Sequence, residues 1–238
     1  MRIEYKEETI EFSFEYRKRK SFEIKIHPSG EIALKVPKGI PEKQIIEIVK
    51  SKADWILKKL KDIQERSPIR SERNYVNGEM FLVFGEEYPL SINIDFKRKQ
   101  ALVFLDKGTL HVETNSADKE VVRTILIYWY KELAKKRVME SINHYQQYFS
   151  TVPKAIRIKN QKTRWGSCSS KQNLNFNLRC AMAPKEVLDY VVVHEMCHLV
   201  HMNHSKAFWD LVESIMPDYK ARRGWLKQHG SRLMSDIS

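Results

Sequence analysis

The chain has 238 residues, 42% of them hydrophobic, with 42 Lys+Arg against 30 Asp+Glu and a formal net charge of +12. That length permits a real core, whereas no run approaches the ~18 apolar residues of a membrane span, so a membrane partner is excluded. Cys168, Cys180 and Cys197 form no C-x-x-C pair and Met1-Arg2-Ile3-Glu4-Tyr5 opens no apolar leader, so reduced thiols in a cytoplasmic protein are expected. The charge is uneven. Residues 153–238 hold 14 basic and 7 acidic residues, while residues 75–152 hold 10 of each. Such a surplus favours an anionic partner (acidic peptide, phosphorylated substrate or nucleic acid), unless it serves solubility alone.

In chain order, residues 3–36 alternate apolar and polar in short runs. Phe22–Ile26 and Ile32–Val36, parted by His27-Pro28-Ser29-Gly30, predict a β-hairpin. Pro41 opens a helix whose apolar stripe is Ile45, Ile48, Val49, Trp55, Ile56, Leu60 and Ile63, ending near Gln64. Glu65 to Tyr75 is polar, contains Pro68, and is the linker candidate. Strands are expected at Glu79–Phe84, Tyr88–Asp95, Ala101–Asp106 and Thr109–Glu113. A long helix from Asp118 to Tyr148 should bury Val121, Ile125, Tyr128, Trp129, Leu133, Val138 and Ile142. Ala155–Lys159 and Leu174–Arg179 read as a second hairpin, and Pro184 opens a helix anchored by Val187, Leu188, Val191 and Val192. Helices at Lys206–Ile215 and Asp218–His229 follow. The organisation is a hairpin-and-helix region (1–74), strands with a long helix (75–152) and a metal-binding catalytic region (153–238). The fold class is α+β: a strand-rich N-terminal part before a helical catalytic part with a short hairpin.

His194-Glu195-Met196-Cys197-His198, with His204 six residues on, decides the chemistry. Imidazoles four apart on a helix point the same way, and a third from beyond the helix end closes a three-nitrogen face on one Zn²⁺ with a position left for water. His201 is the alternative third ligand. It lies about two turns from His194, and three ligands along one helical line converge poorly on a tetrahedral ion, so His204 is preferred. Glu195 sits about 100° round the helix from His194, where it flanks the metal and can act as general base. Asn203 suits a left-handed turn that swings His204 back. Arg164, Tyr190 and Tyr219 are candidates for stabilising developing charge, and the edge of the Leu174–Arg179 strand could align an extended peptide. Cys197 turns away from the His194–His198 face and is expected in the core.

Lys162-Thr163-Arg164-Trp165-Gly166-Ser167-Cys168-Ser169, Val191-Val192-Val193-His194-Glu195-Met196-Cys197-His198-Leu199, Asn203-His204-Ser205 and Phe208-Trp209 together resemble the YgjP-like family. Its members are metal-dependent hydrolases grouped with zinc metallopeptidases. The likeness is strongest from Lys154 onward and extends over most of the chain as one unit. The resemblance implies zinc held by His194, His198 and His204, with Glu195 as the catalytic glutamate. The ligand spacing is also that of metzincin peptidases, but His201 stands where they carry Gly, so this helix must end differently. The expected function is a zinc-dependent cytoplasmic metallopeptidase or amide hydrolase that uses a metal-activated water. The alternatives are a metal-dependent phosphoanhydride or phosphodiester hydrolase acting on nucleotides, or a nucleic-acid-binding module with a structural metal.

Overall fold

The computed structural model describes residues 1–6, 8–27, 29–66, 73–235 and 237, in two compact units, Met1–Arg70 and Ser71–Ser238. Pro28 and residues 67–72, hence the heart of the expected linker and Pro68, lie outside the described residues.

In the first unit, β1 (Arg2–Tyr5) and β2 (Glu8–Glu11) pair antiparallel, with Ile3 opposite Ile10. Strands β3 (Ser13–Arg17), β4 (Glu23–Ile26) and β5 (Ile32–Pro37) form a sheet in the order β3-β5-β4. The expected hairpin is there, antiparallel with Ile26 opposite Ile32, and β3 adds in parallel on the other side of β5. The expected single helix is two: α1 (Glu42–Ser51) and α2 (Ala53–Arg66), interrupted at Lys52. Their buried line is Ile45, Val49, Ala53 and Ile56, against Ile10, Leu34 and Val36. Trp55 is 46% exposed and does not belong to that line. Within α2 it stands about 100° round the helix from buried Ile56, whereas the small Ala53, overlooked as a core residue, is about 60° from Ile56 and buried with it.

The second unit begins with β6 (Met80–Val83), β7 (Glu86–Ile94), β8 (Leu102–Asp106) and β9 (Thr109–Thr114), in the order β6-β7-β9-β8. Helix α3 (Lys119–Tyr145) follows, capped by Asp118, whose carboxylate accepts from the Glu120 N–H. A 3₁₀ turn over Gln146–Tyr148 completes the expected length. Its buried line runs Val122, Leu126, Tyr130, Ala134, Val138 and Ile142. The expected face was one residue out in its N-terminal half: Val121 is 37% and Tyr128 65% exposed. Apolar residues occupy adjacent positions there (Val121-Val122, Ile125-Leu126, Trp129-Tyr130), so periodicity alone does not choose the face. Tyr130 settles there through a buried hydrogen bond, its hydroxyl donating to the Leu82 carbonyl at 2.7 Å.

The last part holds β10 (Ala155–Lys159), β11 (Gly166–Cys168) and β12 (Asn173–Asn177), a 3₁₀ turn over Leu178–Met182, and helices α4 (Lys185–Cys197), α5 (Lys206–Ile215) and α6 (Tyr219–Ser235). The expected hairpin of 155–159 with 174–179 is corrected. β10 and β12 run parallel, and the antiparallel partner of β12 is β11. β12 is therefore the middle strand, both its edges are occupied, and it cannot align a peptide. A three-residue strand of Gly, Ser and Cys carries no apolar alternation, which is why β11 left no signal.

Residues of 75–152 and of 153–238 share one hydrophobic core. The Phe84 and Gly85 N–H groups donate to the Ala181 and Met182 carbonyls at 2.8 and 2.9 Å, tying the end of β6 to the segment that leads into α4. Gly85 has φ +89°, and a Cβ there would come within 2.8 Å of Pro184, the residue that precedes α4. Only glycine meets both conditions. Val187, Leu188, Val191 and Val192 are buried as expected, so α4 enters the core rigidly held. Cys197 is buried in the core as well. Among the described residues no helix is long and apolar enough to cross a membrane.

Candidate metal centre

His194 and His198 lie on one face near the C-terminal end of α4, their ring centroids 5.0 Å apart. His204 directly precedes α5, whose N-cap Ser205 accepts from the Phe208 N–H through its side chain. That cap starts α5 where its first turn places Phe208, fully buried, among all three imidazoles. The Phe208 ring lies 5.0, 4.5 and 4.9 Å from the rings of His194, His198 and His204. Trp209 stacks on His204 at 5.6 Å and 20°. One ring nitrogen from each histidine lies within 4.8 Å of the others. His201 is outside this cluster, but its carbonyl accepts from His198 Nδ1 at 2.9 Å. A carbonyl can only accept, so that contact puts the His198 proton on Nδ1 and leaves the Nε2 lone pair free.

The helix exit differs from expectation. Asn203 is not among the described residues with positive φ. Leu199, Val200 and His201 instead turn their N–H groups back onto the carbonyls of Met196 and Cys197. Carbonyls left over at a helix end are satisfied in that tightened turn, so no left-handed residue is required.

The residues present fit a divalent metal ion. His194 Nε2 and His204 Nε2 are 3.1 Å apart, close to the about 3.3 Å that two nitrogens on a tetrahedral Zn²⁺ would show. Glu195 is 6% exposed, and its buried Oε2 has no hydrogen-bond partner, as a carboxylate kept for a cation or its water would be. Burial pushes the Glu195 carboxyl up to about 8. Burial, then the neighbouring His198 and His204 and the Arg223 charge, push His194 down to about 3, so its ring is neutral and able to ligate. Burial, then His198 and the Arg223 charge, lower His204 too.

These shifts fix how the chelator-treated protein responds to pH. Glu195 binds its proton more tightly folded than unfolded, so its contribution is present below pH 4.5 and is lost as pH rises to about 8. His194, with its value depressed, destabilises the fold at low pH and recovers as pH rises from about 3 to 6.5. Between 6.5 and 8 the largest change comes from Glu195, because the raised cysteine thiols contribute only as pH approaches 9. Urea unfolding should show the chelator-treated protein less stable at pH 8 than at pH 6.5 by roughly 2 kcal/mol, and the Glu195→Gln variant flat over that window. A slope that survives in the variant would place its origin elsewhere.

Beside His194 and Glu195 opens a cleft of about 410 Å³, bounded by Arg164, Trp165, Gly166, Tyr190, Arg223 and Lys227, with Val191 and Leu226 as apolar wall. Of the three candidates for stabilising charge, Arg164 and Tyr190 line this cleft, while Tyr219 is buried and stacked on Trp209 at 5.5 Å. Burial pushes the Tyr190 hydroxyl up to about 12, so it keeps its proton at neutral pH. Gly166 of β11 lies against Glu195: a Cβ there would come within 2.6 Å of Glu195 Cγ and Oε1.

Sequence reasoning missed Gly166, Arg223 and Lys227 as cleft residues. It also missed the buried pair that shapes the loop before β11. Asn177 donates through Nδ2 to the Gln161 and Arg164 carbonyls at 2.6 and 2.8 Å, and its own N–H donates to the Trp165 carbonyl at 2.8 Å. Arg179, fully buried, donates to Asn160 Oδ1 at 2.5 Å and to the Ile237 carbonyl at 2.8 Å. The signal was a polar residue on either side of Leu178, at the end of a strand in which Asn alternates with apolar residues.

An α+β chain with three converging imidazoles beside a buried carboxylate defines a metal-dependent hydrolase site. The chain belongs to the YgjP-like family, whose model, described as the YgjP-like metallopeptidase domain, matches residues 20–229. A comparison with curated proteins finds no match. Among solved structures, the chain is similar to the metallopeptidase zymogen of Pyrococcus abyssi abylysin. The two are 21% identical over 37% of this chain and 90% of that one, with a TM-score of 0.35, too low to carry an argument.

Proposed function

We propose that this protein is a zinc-dependent peptidase or amide hydrolase, with His194, His198 and His204 as the metal ligands and Glu195 as the general base. The observation that carries it is the unpartnered, buried Glu195 carboxylate next to a cluster of three converging ring nitrogens, with Glu195 and His194 both lining a cleft. Zinc held there would supply a Lewis acid that polarises the attacked carbonyl and acidifies a water molecule. Glu195 takes the proton of the attacking water on its Oε2 and passes it to the leaving amine. Tyr190, protonated and lining the cleft, donates a hydrogen bond to the oxygen on which charge develops. β11, an outer strand of its sheet that lines the cleft at Gly166, offers main-chain groups to an extended peptide, the role once expected of the 174–179 strand. Three free thiols, two of them buried, support a reducing, cytoplasmic setting.

Ligand identity has its own test. His204→Ala should cut bound zinc well below one per chain, whereas His201→Ala should leave it near one, because only the His201 carbonyl serves the site. Metal analysis after dialysis reads this directly, and the reverse order would make His201 the third ligand.

A second reading, hydrolysis of a phosphoanhydride or phosphodiester, is favoured by the cations Arg164, Arg223 and Lys227 in the cleft. Against it, the metal-capable cluster among the described residues is all imidazole, without the carboxylates that hold Mg²⁺. The deciding experiment incubates zinc-loaded protein and its Glu195→Gln variant with a protein library and a nucleotide panel. Cleavage of protein by the first alone supports the peptidase; loss of nucleotide alone overturns it. Salt-sensitive binding of DNA or RNA without turnover would instead mark a binding module.

A further inference from the structure

Helix α6 carries cations of two kinds. Lys220 is bonded to Glu213 at 3.0 Å, Arg222 to Asp218 at 2.9 Å, and Arg232 to Glu87. Arg223 and Lys227 line the metal cleft, as does Arg164 from the loop before β11, and none of these three has a carboxylate partner among the described residues. Like charges four apart on a helix share a face and repel, so this pairing costs stability rather than adding it. Arg223, though exposed, rests its guanidinium 4.7 Å from the ring of Trp209, which itself stacks on His204. A ring holds the guanidinium without neutralising it. Among the described residues Glu195 is the one acidic residue lining the cleft, and its carboxyl lies against Gly166. Trp165, Val191 and Leu226 give the same cleft apolar walls.

Resting on the peptidase reading above, we propose that Arg223 and Lys227, aided by Arg164, select peptides by a carboxylate within a residue or two of the bond cleaved. The guanidinium fork pairs with both oxygens of a carboxylate, and the apolar walls take the carbon chain that bears it. A polyphosphate would engage the cations and leave Trp165, Val191 and Leu226 uncovered. The carboxylate comes either from an Asp or Glu side chain or from the free C-terminus of the peptide.

The test uses the full-length, zinc-loaded protein and matched peptides that carry Asp or Glu against Asn or Gln, each with a free or an amidated C-terminus. The first pairing reads a side-chain carboxylate, the second a terminal one. In at least one of them kcat/KM should favour the acid by about 10- to 100-fold, the worth of one or two charged hydrogen bonds. That ratio should fall to about one in Arg223→Gln/Lys227→Gln. In Arg223→Glu/Lys227→Glu it should invert, toward peptides with Lys at the same place, a reversal that mere loosening of the fold does not produce. Equal cleavage of acid and amide by the unmodified protein overturns this inference while leaving peptide hydrolysis that depends on Glu195 intact. Nucleotide turnover that depends on Glu195, with every peptide uncut, overturns the peptidase reading itself and this inference with it.

Discussion

Replacing Glu195 with Gln should lower turnover by about 10²- to 10⁴-fold while bound zinc stays near one per chain. The amide keeps the shape of the carboxylate and lacks its basicity, so a water held by the metal would have no group to take its proton. Glu195 makes no hydrogen bond through Oε2 that the amide would disrupt, and burying a neutral group there removes the desolvation that raises its pKa. The variant should therefore be at least as stable as the parent above pH 6.5 when the metal is stripped. Turnover retained within threefold, measured on any substrate the library reveals, would remove Glu195 from the proton-transfer role.

Gly166→Ala should be nearly as damaging, although it touches neither metal nor ligand. The added methyl would stand 2.6 Å from Glu195 Cγ and Oε1 and 2.8 Å from Cδ. Glu195 is anchored in buried α4, so one of the two must shift, at about 1–3 kcal/mol of stability. A displacement near 1 Å of a reacting group costs on the order of 10²-fold in rate. Gly224→Ala is the control. A Cβ there meets nothing within 4 Å, and alanine inside α6 should stabilise by about 0.5–1 kcal/mol. Thermal unfolding and turnover on both variants give the comparison. Full activity in Gly166→Ala would show that Glu195 can work from a different position.

The clustering of His194, His198 and His204 was legible because it obeys a local rule: imidazoles four apart share a helix face, and His204 falls just past the helix end. Zinc, as opposed to another divalent ion, rests on that donor set and remains part of the proposal. The cleft was not legible, since it is built from residues distant in sequence. Gly166 lies almost thirty residues before Glu195, and Arg223 almost thirty after. Strand direction was also hidden. Side-chain alternation fixes which face of β10 and β12 is buried but says nothing of whether the two run parallel. On α3 an excess of apolar residues blurred the face, and Ala134, small enough to admit close packing, was passed over for its larger neighbours. The helix exit failed for a related reason: an asparagine permits a left-handed turn without requiring one.

The Arg179 side chain reaches from the loop at Asn160 to the carbonyl of Ile237, whose side chain is itself fully buried. The backbone at Ile237 thus acts as a brace for a loop more than seventy residues upstream, and that loop leads into the glycine that abuts Glu195. Trimming by a protease ahead of Ile237 would slacken the brace without touching a ligand. The trimmed protein would keep its affinity for metal while its rate declined, so intact mass belongs beside metal content whenever a preparation is judged competent.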